Sequence, residues 1–287
     1  MNESGVPDAK GYAIARSALF DALRALAPLP EKSIVLVGAQ AVYLRAPEQV
    51  IPSIAPFTLD GDIVADPHKI RRPRIIIELL EGAGFTLGGA NGLYVLAGAP
   101  IDEQYAARVD IFVPAGVEHT REAEGYNMRD ATATFVQSGL ELALVDHSTM
   151  IVMPVDVSRK NEGIAVEVAG TVALLIAKAW KIHDRFEEGV EAFREVVKDI
   201  TDIYRLLRSS TPEDLNTTIH RLPSEETVIR VARSGATYLR KLCTRGGPAI
   251  DLLREALGST SEGELIVESL TALVDEFCLL VEGRPAD

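Results

Sequence analysis

The sequence predicts an α+β protein, with a small mixed-sheet domain over residues 1–163 followed by a helical domain over residues 164–287. Three observations carry that reading. Between residues 34 and 113, short β-branched runs alternate with turn signals and brief helical stretches. From Val166 to Leu280 apolar residues recur almost wholly at helical spacing, so the character of the chain changes near Arg159–Gly163. The composition, 47% hydrophobic and 25% charged over 287 residues, is that of a folded globular chain and excludes disorder or collagen-like structure for its bulk.

Each element has a local reason. Residues 8–27 place Ala13, Ala15, Leu19, Leu23 and Leu26 at helical spacing and end at Pro28 and Pro30. Ile34–Val37 is a β-branched run, and Gly38 turns the chain into a helix over Ala39–Arg45. Thr58–Val64 reads as a strand carrying two aspartates, and residues 68–83 as a helix ending in Gly82-Ala83-Gly84. Phe85–Leu87, Leu93–Ala97 and Arg108–Val113 read as strands of one sheet, with Asn91-Gly92 a hairpin signal between the first two. Thr132–Val136 and Met150–Val155 add further strands. In the helical half, Thr211-Pro212 with Asp214 is a helix start, and Ser261 with Glu264 matches a capping box.

The net charge of −13 is spread over both halves, which argues against a broad electrostatic nucleic-acid face. Cys243 and Cys278 lie in apolar surroundings and read as buried thiols of a reducing cytosol. The first ten residues lack a basic stretch followed by an apolar one, so no signal peptide is expected. The longest apolar run, Val168–Ala177, is about half of what a bilayer span requires. A cytoplasmic protein without a membrane partner is expected.

The sharpest local feature is Thr58-Leu59-Asp60-Gly61-Asp62-Ile63. Two residues apart on a strand, Asp60 and Asp62 project from one face, about 7 Å apart at the backbone. Such carboxylates repel unless a cation lies between them, and hard oxygen ligands suit Mg²⁺ or Mn²⁺. The bland alternative is two solvated aspartates on a loop edge. Asp110 stands in the apolar run Val109–Val113, where a buried aspartate must pair or bind metal, unless it faces solvent beside Arg108. Three aspartates on neighbouring strands form a carboxylate cup of the kind used in phosphoryl and nucleotidyl transfer. On a later helix Lys178, Lys181 and Arg185 share a face and either approach phosphates or snorkel into solvent. Asp199 and Asp202 share a face of the next helix and serve as ion-pair partners for that cationic stripe.

Gly38-Ala39-Gln40-Ala41, Thr58 to Asp62, Asp110, Lys178 with Arg185, and Lys198-Asp199 with Asp202 follow one another as in a known family. In this order the chain resembles AbiEii-type nucleotidyltransferases from about residue 34 to residue 208. That group belongs to the DNA polymerase β-like minimal nucleotidyltransferase superfamily and includes the MenT toxins of type IV toxin–antitoxin systems. The resemblance implies a nucleotidyltransferase domain ahead of a helical one. It also implies metal-dependent transfer of a nucleoside monophosphate from a nucleoside triphosphate to an acceptor hydroxyl. Asp60, Asp62 and Asp110 would then hold Mg²⁺ or Mn²⁺, with Lys178 and Asp199 completing the catalytic set. Gly38, Ala39, Thr58, Lys178, Lys181 and Arg185 would contact the nucleotide. The implied acceptor is RNA, a tRNA 3′ end, and the implied partner a cognate antitoxin.

Two departures are visible. Gly38-Ala39 stands where the family carries a hydroxyl residue, leaving backbone N–H groups at the helix start to meet the triphosphate. Ala55-Pro56-Phe57 stands where the family often has an arginine. The only marked basic stretch, Lys69 to Arg74 with four cations in six positions, either fans out beside the metal site to meet an RNA acceptor or merely offsets the surrounding acidity. Competing readings are a catalytically silent module of the same fold, a small-molecule nucleotidyltransferase, and a haloacid-dehalogenase-like phosphatase using Asp60 as nucleophile. The phosphatase motif should follow a clean apolar strand, which Pro56 interrupts here.

Overall fold

A computed structural model describes residues 9–47, 51, 58, 60–88, 92–96, 108–116, 134–155, 159, 161–189, 193–258 and 260–284. The chain divides into two compact units. The first comprises Met1–Ala41, Phe57–Gln137 and His147–Ala169, the second Val42–Pro56, Ser138–Asp146 and Gly170–Asp287. The fold class is mixed, as the alternation of patterns predicts.

The first unit holds helix α1 (Ala9–Leu26) and strands β1 (Ile34–Val37), β2 (Asp60–Ala65), β3 (Phe85–Leu87), β4 (Leu93–Leu96), β5 (Arg108–Pro114), β6 (Phe135–Gln137), β7 (His147–Val152) and β8 (Ile164–Ala169). It also contains helix α3 (Arg74–Gly82) and the start of α2 (Gly38–Arg45). The strands form one mixed sheet in the order β3-β4-β5-β2-β1-β8-β7, with β6 pairing β5. β2 runs antiparallel to β1 and parallel to β5. Leu19, Phe20, Leu23 and Leu26 of α1 are fully buried, and α1 packs on β2 and β5.

The boundaries differ from expectation in instructive places. Helix α3 begins only at Arg74, because Asp66 accepts from the His68 N–H and holds the preceding residues in a turn. Glycine at 92 has φ +70 in the β3–β4 hairpin, as the turn signal requires, while Asn91 lies outside the described residues. Thr132 and Ala133 also lie outside them; the strand expected there appears as β6. The strand expected over Met150–Val155 is shifted to His147–Val152, in register with β8. That partner, Ile164–Ala169, corrects the expectation of helix from Val166. Its alternating Ile-Ala-Val-Glu-Val-Ala sequence pairs parallel with β1, and the apolar run Val168–Ala177 is split at Gly170 into the end of a strand and the start of a helix.

The second unit contains α4 (Thr171–Glu187), α5 (Phe193–Arg208), α6 (Pro212–Arg221), α7 (Glu226–Cys243), α8 (Pro248–Leu257) and α9 (Ser261–Glu282). α7 packs against both α4 and α9. Thr211 caps α6 by accepting the Asp214 N–H, as expected. The cap of α9 is Thr260 rather than Ser261, since the Thr260 hydroxyl accepts the Gly263 N–H three residues on. Cys243 and Cys278 are free buried thiols, and burial pushes both up to about 12. Among the described residues no helix is long and apolar enough to cross a membrane.

Candidate metal centre

Why the sequence reads Asp-Gly-Asp follows from the two faces of β2. Gly61 faces α1, and a Cβ there would lie 2.7 Å from Leu19 Cδ1, so only glycine lets the helix approach so closely. The neighbouring positions 60 and 62 therefore present their side chains on the opposite face. Strand β5 alternates in the same way, with Val109 and Ile111 buried and Arg108, Asp110 and Phe112 partly exposed. Because β2 and β5 pair in parallel with Asp60 opposite Arg108 and Asp62 opposite Asp110, four side chains form a two-by-two patch. Carboxylate oxygens of Asp60, Asp62 and Asp110 lie within 4.8 Å of one another. The convergence expected of these three aspartates is present.

Fixed contacts hold the patch in shape. The Thr58 hydroxyl donates to Asp60 Oδ1 at 2.8 Å, and Arg108 donates to Asp60 Oδ2 at 2.9 Å. Burial lowers the Arg108 pKa, but the hydrogen bond and charge of Asp60, with the fields of Asp110 and Asp62, outweigh it and raise the net value. Asp62 sits where β1 ends, paired with Val37, and its carboxylate packs against Gly38 at the start of α2. A Cβ at 38 would fall 1.8 Å from Asp62 Oδ2, and Gly38 has φ +66, so glycine is required twice over. Buried Arg16 of α1 donates to Gln40 Oε1 at 3.1 Å and ties the first turn of α2 in place. The N-terminal end of α2, with its unpaired N–H groups and partial positive charge, thus lies beside a carboxylate patch.

The four paired positions of β2 and β5 themselves carry three negative charges and one positive. Carboxylate oxygens at this spacing fit a hard divalent cation. The residues present therefore suit a metal ion. Arg108 was the member of this patch that sequence reasoning treated only as a neighbour of Asp110. Its signal was the same two-residue spacing that links Asp60 to Asp62. The parallel register that sets Arg108 opposite Asp60 becomes visible only once the strands pair.

The remaining expected site residues are distributed as follows. Thr58 is fully buried and directs its hydroxyl hydrogen to Asp60. Ala39 is buried in the first turn of α2 and offers backbone only. In the second unit, Lys178 Nζ donates to Asp199 Oδ1 at 2.5 Å and to Asp202 Oδ2 at 2.7 Å. Arg185 donates to Asp199 Oδ2 at 2.6 Å, while Lys181 is exposed on α4. Desolvation of Lys178 is outweighed by its two carboxylates, which raise its pKa. Burial would raise the Asp199 pKa, yet Lys178, Lys181, Lys198 and Arg185 hold it below the ordinary carboxylate range.

The basic stretch meets acidic groups of its own segment. It follows the far end of β2, where Asp66 N–H donates to Ser33 O and Lys69 Nζ donates to Lys32 O. Three steps of strand, roughly 10 Å at about 3.3 Å each, lead from Asp62 to Ala65 before the stretch begins. The strand thus separates the start of this stretch from the carboxylates. Lys69 pairs with Asp66, and Arg72 and Arg74 approach Glu78. Ala55, Pro56 and Phe57, where the family often has an arginine, lie outside the described residues. Comparison with protein-family models, curated proteins and solved structures gives no match.

Proposed function

We propose that the protein is a metal-dependent nucleotidyltransferase that moves a nucleoside monophosphate from a nucleoside triphosphate to an acceptor hydroxyl. The observation that carries this reading is the in-register patch of Asp60, Asp62 and Asp110 beside the N-terminal end of α2. In this reading the three carboxylates hold Mg²⁺ or Mn²⁺. A bound ion of that kind neutralises charge on the transferring phosphoryl group and lowers the pKa of a coordinated hydroxyl. Thr58 orients Asp60, and Gly38 and Ala39 contribute backbone N–H groups suited to an anionic phosphate. The acceptor oxygen forms the new bond to the α-phosphorus and passes its proton to solvent, while the bond from the α-phosphorus to the bridging oxygen breaks and pyrophosphate departs. A phosphatase is the weaker reading because Asp60 opens β2 instead of following an apolar strand.

The order of motifs supports an RNA acceptor, with a tRNA 3′ end as the specific candidate and a cognate antitoxin as partner. The same resemblance assigns Lys178 and Asp199, with Lys181 and Arg185, to the nucleotide. The protein incubated with each labelled nucleoside triphosphate, Mg²⁺ and total RNA should label a tRNA-sized band from one or more nucleotides. Asp62→Asn should abolish that labelling. Absence of transfer from every nucleotide, to RNA and to small hydroxyl compounds alike, would refute the reading.

A further inference from the structure

Arg108 is the one cation that strands β2 and β5 themselves bring to the carboxylate patch, and it is incompletely used. Of the five N–H donors a guanidinium offers, its hydrogen bond to the patch is the single one to Asp60 Oδ2, and its buried Nε has no acceptor among the described residues. The arrangement is not the bidentate fork by which arginine binds a carboxylate most strongly. The side chain is 41% exposed, so the guanidinium has a path to water without unfolding the strand that carries it. Asp60, by contrast, is satisfied at both oxygens, by Thr58 and by Arg108. A divalent ion that takes Oδ2 of Asp60 must therefore compete with a positive group already there.

We propose that Arg108 is a built-in counter-cation, which occupies Asp60 in the metal-free protein and yields that oxygen when a divalent ion enters the patch. The inference rests on the metal-binding reading of the three aspartates. Its physical basis is the charge balance. Without Arg108 the metal-free patch would hold three carboxylates within 4.8 Å and no cation from its own two strands. With it, the repulsion in the metal-free patch is reduced because Asp60 is paired, and metal affinity falls because one positive charge has to be displaced. Arg108 is thus a positioning residue that sets the ion concentration at which the site fills.

The test is calorimetric titration of the metal-free chain with Mn²⁺, comparing wild type, Arg108→Gln, Arg108→Lys and Asp62→Asn, with melting curves in chelator and in saturating Mn²⁺. Arg108→Gln should bind Mn²⁺ at least tenfold more tightly than wild type. It should also melt lower in chelator and gain more from Mn²⁺. Arg108→Lys, which keeps the charge, should bind as wild type does. Should Arg108→Gln prove too unstable without metal, the wild-type Arg108 Nε–H resonance followed during Mg²⁺ titration provides a second readout, and it should shift as the patch fills. Equal or weaker Mn²⁺ binding by Arg108→Gln, or an unmoved resonance at saturation, overturns the proposal while leaving the metal site standing. Failure of wild type to bind Mn²⁺ overturns the metal reading itself.

Discussion

Two clusters of charge, one in each unit, are built from the same side chains and are balanced differently. In the second unit Lys178 and Arg185 face Asp199 and Asp202, two positive groups against two negative ones, with Lys178 and both aspartates almost wholly buried. Each carboxylate there has a short partner. In the first unit the paired positions of β2 and β5 bring Asp60, Asp62 and Asp110 together with the single cation Arg108, and the patch is only partly buried. Removing one partner from a paired buried network strands the charge left behind, whereas converging carboxylates repel one another and favour an added cation. The contrast separates residues whose loss should unfold the protein from residues whose loss should cost it a ligand.

The largest effect is expected from breaking the balanced cluster. Lys178→Ala leaves two buried carboxylates without their ammonium and should cost about 3–5 kcal/mol of unfolding free energy in urea denaturation. A loss under about 1 kcal/mol would show that the network is not structural. Because this change attacks the fold, nucleotide binding by the variant is informative only where it remains folded.

Acid should act on the same cluster. Asp199 has a folded-state pKa below its unfolded one, so its stabilisation is fully present above the unfolded value of about 4 and is lost as pH falls through the folded value. Stability followed by urea denaturation should therefore decline below about pH 4. Asp199→Asn should be less stable than wild type at neutral pH and show a shallower decline in acid. An unchanged slope in that variant would mean other carboxylates set the acid limit.

A smaller loss of stability, with a specific loss of ligand, is expected at Gly38. Alanine there meets the Asp62 carboxylate and must hold a left-handed backbone, which together should cost about 1–3 kcal/mol. Gly38→Ala should also weaken Mn²⁺ binding in calorimetry, because Asp62 has to move. Full Mn²⁺ affinity in that variant would show that the position of Asp62 against α2 does not matter to the site.

How much of this was legible in the sequence depended on whether the signal was local. The Asp-Gly-Asp strand and the lone aspartate of β5 were readable because period-two alternation fixes which side chains share a face. The fold class was readable from the change of period along the chain. β8 was not, because an apolar run that crosses from strand to helix at Gly170 has no period of its own. Which role the basic stretch takes was not legible, because nearness in sequence to Asp62 ignores the length of strand between them. Arg108 was passed over because its meaning lies in a pairing register, and register is a property of two strands at once.

The central claim is that the patch of Asp60, Asp62 and Asp110 holds a divalent cation, and Mn²⁺ calorimetry on wild type and Asp62→Asn tests it most directly. Wild type should bind Mn²⁺ with a measurable heat. Asp62→Asn should bind at least tenfold more weakly, roughly 1.4 kcal/mol, while melting near the wild-type temperature in chelator. No binding by wild type, or equal affinity in the two proteins, would contradict the account.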